Sequence, residues 1–299
     1  MTGRVELSAG PITYEDTGGD GPVLVLLHGL LMDGGAWRDV VSELGDEFRC
    51  ILPTLPLGAH REPMNSDADL SLRGIGRIVA ELLDRLDLRD VTLAFNDWGG
   101  AQVMIADRLM DRVARLVLVS CEAFENYPPG IPGKLAWLSA KLPGGLVMTR
   151  LTLSVKPLRR LPITFGSMSK RGVPDELMNS WLVPLKRREI RRDLARYAGD
   201  ARRGRRDMLA ATPALGSFER PVLVVWASDD RIMPPAHGHR LAELFPAARL
   251  VEIPDSYTLV PIDAPGPLAH TLRDFIATPA PPQTAQPVQA AARPHESDD

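Results

Sequence analysis

Short apolar runs of strand length alternate along this chain with amphipathic stretches of helical period, and that alternation limits the fold more than any other feature. The runs are Val5–Leu7, Ile12–Glu15, Val23–Leu27, Arg49–Leu52, Val91–Phe95 and Arg115–Val119, with Val222–Trp226 and Arg249–Ile253 after a long interruption. Several are apolar throughout, the pattern of strands covered on both faces. Between them, Leu70–Leu86 carries Leu72, Ile75, Val79, Leu82, Leu83 and Leu86 as one helical stripe. Gly35–Leu44, Gly99–Met110, Ala236–Leu244 and Pro267–Ile276 also read as helices. Strand then helix, repeated, implies right-handed crossovers and a mostly parallel sheet. Ser-Ala-Gly-Pro joins the first two runs as a hairpin signal, so the sheet starts antiparallel.

From Glu122 to about Leu215, prolines punctuate helical stretches and no clear strand is visible. The chain therefore reads as one α/β domain, 1–121 with 216–277, carrying a helical cap over 122–215. The tail, 278–299, is Pro, Ala, Gln and acid, and is expected to be disordered. All the lysines lie in the insertion, which holds 18 Lys+Arg against 8 Asp+Glu; that net +10 leaves −13 elsewhere to give −3 overall. Its Lys186–Arg206 run reads as a solvated basic face, or as a lid that attracts anionic substrates. The small overall charge argues against nucleic acid as a partner. No apolar run reaches the ~18 residues of a membrane span. Cys50 and Cys121 cannot make a disulfide framework, and no apolar leader opens the chain, so a cytoplasmic protein with free thiols is expected.

Three loops leave the carboxyl ends of predicted strands, the edge where open α/β sheets place ligands. His28-Gly29-Leu30-Leu31 follows Val23–Leu27, and a backbone N–H freed after His-Gly can point at a developing oxyanion. Asn96-Asp97-Trp98-Gly99-Gly100 joins a strand directly to a helix and has the form of a nucleophile elbow. Such a turn lifts the side chain at 97 above the sheet and exposes the Trp98 N–H at a helix N-terminus. The same residues also suit a helix N-cap at Asp97. Ser228-Asp229-Asp230-Arg231-Ile232-Met233-Pro234 offers an acid after a Val-rich strand, or a turn-capping Asp.

On His28-Gly29, Asp97-Trp98-Gly99-Gly100 and Asp230 before Pro234, the chain to about Ile276 resembles the α/β-hydrolase superfamily, nearest the haloalkane dehalogenase and epoxide hydrolase branch. The resemblance implies an α/β-hydrolase fold: a mostly parallel eight-stranded sheet with a helical cap inserted. It implies Asp97 as carboxylate nucleophile, Asp230 as the acid of a triad, and the N–H groups of Leu30 and Trp98 around the oxyanion. It also implies that the Trp98 indole steadies a leaving group. The family's histidine would follow the last strand, but Tyr257 and Thr258 stand there, while His28, His60, His237, His239, His270 and His295 all lie elsewhere. Neither Tyr nor Thr is a base at neutral pH. An ester formed at Asp97 needs one for hydrolysis.

The expectation is a hydrolase without the usual histidine, acting on a small, mostly apolar substrate of the ester, halide or epoxide class. It needs no cofactor or metal, since no dinucleotide, phosphate-loop or metal-ligand motif is present. The alternatives are a proton-transfer enzyme (lyase, cyclase or isomerase) working through Asp97, and a binding protein on the same fold. Tyr127 and Tyr197 are candidate proton donors, as cap tyrosines are in epoxide hydrolases. Leu135, Trp137, Leu138, Leu142, Phe165, Met168 and Trp181 are expected to give an apolar lining. Backbone donors around Asp97 are expected to hold it ionised.

Overall fold

The computed structural model describes residues 1–278, so the tail beyond Thr278 lies outside the described residues. The core opens with β1 (Thr2–Leu7), β2 (Gly10–Asp16), β3 (Val23–Leu27), α1 (Arg38–Leu44), β4 (Arg49–Pro53), α2 (Leu72–Arg85), β5 (Val91–Asp97), α3 (Gly100–Ala106) and β6 (Val113–Cys121). Helices alone follow: α4 (Gly130–Lys141), α5 (Gly145–Ser154), α6 (Lys156–Arg159), α7 (Asp175–Leu182), α8 (Arg188–Ala198) and α9 (Ala201–Ala211). The core resumes with β7 (Val222–Ala227), α10 (Pro235–Leu244), β8 (Ala248–Ile253), α11 (Val260–Asp263) and α12 (Pro265–Ala277).

The sheet runs β1-β2-β4-β3-β5-β6-β7-β8. β1 and β2 pair antiparallel, with Leu7 opposite Gly10, and β2 also meets β4 antiparallel. Every other neighbouring pair is parallel. The chain steps outward from β3 to β4 and then returns past β3 to β5. That reversal opens a crevice at the carboxyl ends of β3 and β5, the place where such sheets bind ligands.

Burial explains the strand composition. Every side chain of β5 and β7 is buried, as expected for central strands covered on both faces. Each fully buried Leu or Val there contributes roughly 1.5–3 kcal/mol by transfer from water. α2 buries Leu72, Ile75, Val79, Leu82 and Leu83, and starts where the Ser71 hydroxyl accepts the Gly74 N–H at 3.1 Å. α3 stops at Ala106, short of the Met110 expected from the sequence, because Asp107 and the positive-φ Arg108 turn the chain.

Two features of the helical segment refine the sequence reading. α9 packs against α2 and α3, in the helix layer beside the sheet. The basic run is the expected solvated face at Lys186, Arg188, Arg202, Arg203, Arg205 and Arg206, which are exposed, and not a lid charged toward the sheet edge. Arg187, Arg192 and Arg196 donate to the carbonyls of Arg61, Met64, Asn65 and Ala68, tying α8 to the loop after β4. Arg192 also donates to the buried Asp193 carboxylate, whose other oxygen accepts the Met64 N–H at 2.8 Å.

Candidate active site

β5 delivers Asp97 into a left-handed turn, with φ +64°. A non-glycine residue held there costs roughly 1–3 kcal/mol, which the flanking strand and helix must absorb. Close packing permits the turn. A Cβ on Gly99 would lie 2.4 Å from the Glu122 carbonyl, and one on Gly100 would lie 2.3 Å from the Trp98 ring. A Cβ on Gly29 would overlap the Asp97 carboxylate, so the His-Gly turn after β3 clears the space that this side chain fills.

The two expected backbone donors behave differently. The Leu30 N–H donates to Asp97 Oδ2 at 3.1 Å. The Trp98 N–H instead crosses the tight turn to the Asn96 carbonyl at 2.7 Å. With one donor in place of two, the expectation that Asp97 is held ionised fails. Burial pushes its carboxyl up to about 7, against the Leu30 N–H, and the negative Asp230 adds to the rise.

Asp97 borders a cavity of about 630 Å³. The buried side chains at its inner end are Trp98, Glu122, Tyr127 and Tyr197; the exposed Leu135, Leu142, Met148 and Ile163 border its outer part. Leu135, Trp137, Leu142, Phe165 and Met168 line it as expected from the sequence, whereas Leu138 points outward. Trp181 is buried elsewhere, its indole N–H donating to Asp33 Oδ1 at 2.8 Å. Trp98 and Trp137 border the cavity, and their indole N–H groups are buried without a partner.

Tyr127, on the segment after β6, and Tyr197, on α8, meet at this cavity with their hydroxyls 3.4 Å apart. Burial raises both phenols above their ordinary range, so both stay protonated and able to donate. Glu122 went unremarked in the sequence except as the first residue of the insertion. Its Oε2 accepts the Gly99 N–H at 3.3 Å. Burial raises its carboxyl well above the usual range, and the negative charge on Asp97 raises it further. The signal available was positional: an acid directly after the apolar β6, on the same edge as Asp97.

The positions expected to hold a triad are arranged otherwise. Asp230 Oδ1 accepts the N–H groups of Ile232 (2.9 Å) and Met233 (2.8 Å) and the Thr258 hydroxyl (2.8 Å). Its Oδ2 is buried without a partner, and burial raises its carboxyl despite those donors. The Thr258 carbonyl accepts the Asn96 side-chain amide at 2.8 Å, pinning the loop to β5. Tyr257 turns away: its N–H donates to Asp263 Oδ2 at 3.0 Å, and Lys170 and Arg231 stack on its ring.

Among the described residues no histidine lines the cavity. His28 is buried, its Nδ1 bonded to the Gly29 carbonyl at 2.8 Å and its Nε2 accepting the Leu55 N–H at 2.9 Å. That pattern fixes a neutral ring, and burial lowers its pKa to about 4. His237 faces Glu125, and the exposed His239 and His270 face Glu252 and Asp274. Among the described residues no group of three His, Cys, Asp or Glu side chains is placed to hold a metal ion.

Comparison with known proteins accords with this geometry. A family model described as the alpha/beta hydrolase fold matches residues 22–265. Haloalkane dehalogenase 2 of Mycobacterium tuberculosis is 28% identical over 283 residues, 89% of this chain and 91% of that protein. A cis-3-alkyl-4-alkyloxetan-2-one decarboxylase of Shewanella oneidensis is 26% identical over 269 residues, 86% and 83% of the two chains. A haloalkane dehalogenase loop variant from Bradyrhizobium elkanii superimposes with a TM-score of 0.71 at 18% identity, covering 93% of this chain and 96% of that one, a likeness of fold.

Proposed function

The chain is an enzyme of the alpha/beta hydrolase fold family, on its haloalkane dehalogenase branch, and from that premise we propose that Asp97 is the nucleophile for a small, mostly apolar substrate of the ester, halide or epoxide class. In this reading the helices between β6 and β7 are its cap, and no histidine takes part. The observation that carries it is the meeting of Asp97, Glu122, Tyr127 and Tyr197 on one largely apolar cavity.

The two phenols favour an oxygen leaving group, as in an epoxide or a cyclic ester. The relative named for an oxetan-2-one points to the same class. Ionised Asp97 attacks carbon and the carbon–oxygen bond breaks. The departing oxygen takes its proton from Glu122, directly or through the Tyr127–Tyr197 pair. An alkyl ester at Asp97 and a Glu122 carboxylate result. Esterification removes the Asp97 charge that helped hold the proton on Glu122, so Glu122 is most easily ionised when a base is needed. It then takes a proton from water, the resulting hydroxide adds to the ester carbonyl, and collapse returns the Asp97 carboxylate and releases the alcohol. The Leu30 N–H, already on Asp97 Oδ2, lies where the tetrahedral oxyanion develops.

The test is formation of diol from a terminal aliphatic epoxide. Asp97→Asn is expected to abolish it, whereas Glu122→Gln should slow attack, which loses its proton donor, and slow ester breakdown further, which loses its base. Diol formation unaffected by Asp97→Asn would refute the reading. If Asp97 only moves protons, as a lyase or isomerase requires, isomerised product forms and neither variant ever carries an adduct.

A further inference from the structure

The outer face of α4 and α5 runs against the usual distribution of apolar side chains. Ile131, Leu135, Leu138 and Leu142 follow the spacing of one helical stripe, and all four are exposed. Met148, Leu151 and Val155 continue the pattern along and just past α5, which packs against α4. Leu161 and Ile163 follow, also exposed. A helix on a globular protein normally turns such a stripe inward. α4 instead has no buried residue. Contiguous exposed apolar surface of this kind marks an interaction site.

The charges identify what it meets. No Asp or Glu occurs from 126 to 174, while Lys134, Lys141, Arg150, Lys156, Arg159, Arg160, Lys170 and Arg171 all do. Lys156 and the buried Arg159 pair with Asp175, and Lys170 and Arg171 pair with acids of the core. Lys134, Lys141, Arg150 and Arg160 form no ion pair among the described residues. Lys141 lies over the Trp137 ring. A second copy of this chain meeting the face across a two-fold axis would set these cations against their own equivalents, with no acid of the segment to offset them. An anionic bilayer supplies both complements, apolar depth for the stripes and negative charge for the cations.

We propose that the outer face of α4, α5 and the 155–163 segment docks on an anionic lipid surface, with the mouth of the cavity against it. Leu135, Leu142, Met148 and Ile163 belong both to the exposed apolar surface and to the cavity wall, so the docked face surrounds the entrance. Among the described residues no helix is long and apolar enough to cross a membrane, and the proposed contact is peripheral. The inference stands whatever chemistry Asp97 performs.

The test is flotation of the full chain with phosphatidylcholine vesicles, with and without one-third phosphatidylglycerol. Binding is expected only with the anionic lipid, and it should weaken about fivefold for each of Lys134→Gln and Lys141→Gln. Leu138→Asp, outside the cavity, is expected to abolish it, and Val183→Asp, exposed elsewhere, to leave it intact. Circular dichroism checks that each variant is folded. Absence of binding to anionic vesicles, or equal binding by Leu138→Asp, overturns the proposal. A dimer in sedimentation velocity that Leu138→Asp dissolves, without vesicle binding, assigns the face to a second copy. Binding gained only when the chain ends at Thr278 assigns it to the chain's own tail.

Discussion

The Thr258 hydroxyl donates to Asp230 Oδ1 at 2.8 Å, in place of the histidine N–H that a triad acid would accept. Asp230 is satisfied at that oxygen and has no side-chain link to Asp97. This contact predicts a structural effect. Thr258→Val removes a donor from a buried carboxylate, a loss of about 1–3 kcal/mol. Thermal unfolding should fall by several degrees while the rate of attack on an epoxide stays within about twofold. A fall in that rate of tenfold or more, at unchanged Tm, would place Thr258 in the chemistry.

Asp97 predicts a pH-dependent trade between stability and reactivity. Its carboxyl titrates near 7 in the folded chain and near 3.8 in an unfolded one. The folded state therefore holds the proton more tightly, and this group's contribution to stability falls as pH rises from about 4 to about 7. Asp97→Asn removes that penalty. The variant should match its parent near pH 4 and exceed it above pH 7 by an amount of the order of a few kcal/mol. Paired melting curves at the two pH values check this. An advantage that shrinks as pH rises contradicts the burial argument.

The same titration sets the reactivity. In the proposed reaction only the ionised carboxylate attacks, so single-turnover ester formation should rise roughly a hundredfold between pH 5 and pH 8, with a midpoint near 7. A flat profile over that range would mean that Asp97 is ionised throughout.

Glu122→Gln removes the proton donor of the first half-reaction and the base of the second. Ring strain still lets an epoxide form the ester, more slowly and with the departing oxygen protonated from solvent, but glutamine cannot accept a proton from water. Ester breakdown should slow by about 10²-fold or more, and intact-mass spectrometry should find the adduct accumulating on the variant. Turnover at the parent rate would exclude Glu122 as the base.

Much of the sheet was legible because its signals are local. Each predicted strand is found within three residues of its predicted ends, and the Asp97 turn is fixed by an apolar strand running straight into glycines. The triad positions were legible as places but not as contacts. That Thr258 bonds Asp230 depends on how two loops, 28 residues apart, approach each other. Glu122 was missed because an acid at the edge of a basic, helical segment reads as a solvated charge; its burial comes from α3 and the Asp97 turn packing against it. Tyr127 and Tyr197 are 70 residues apart, and only the path of α8 brings their hydroxyls together. The ionisation of Asp97 was misread for the same reason, since donors can be guessed from a turn but desolvation depends on everything packed around it.

Whether Asp97 forms the proposed covalent ester is tested most directly by oxygen tracing. After many turnovers of an epoxide in water enriched in heavy oxygen, proteolysis and mass spectrometry of the peptide containing Asp97 should show the label in its carboxylate. The first turnover should instead transfer unlabelled carboxylate oxygen to the product. Diol carrying solvent oxygen from the first turnover, with an unlabelled Asp97 peptide, would contradict the account and make Asp97 a base acting on water.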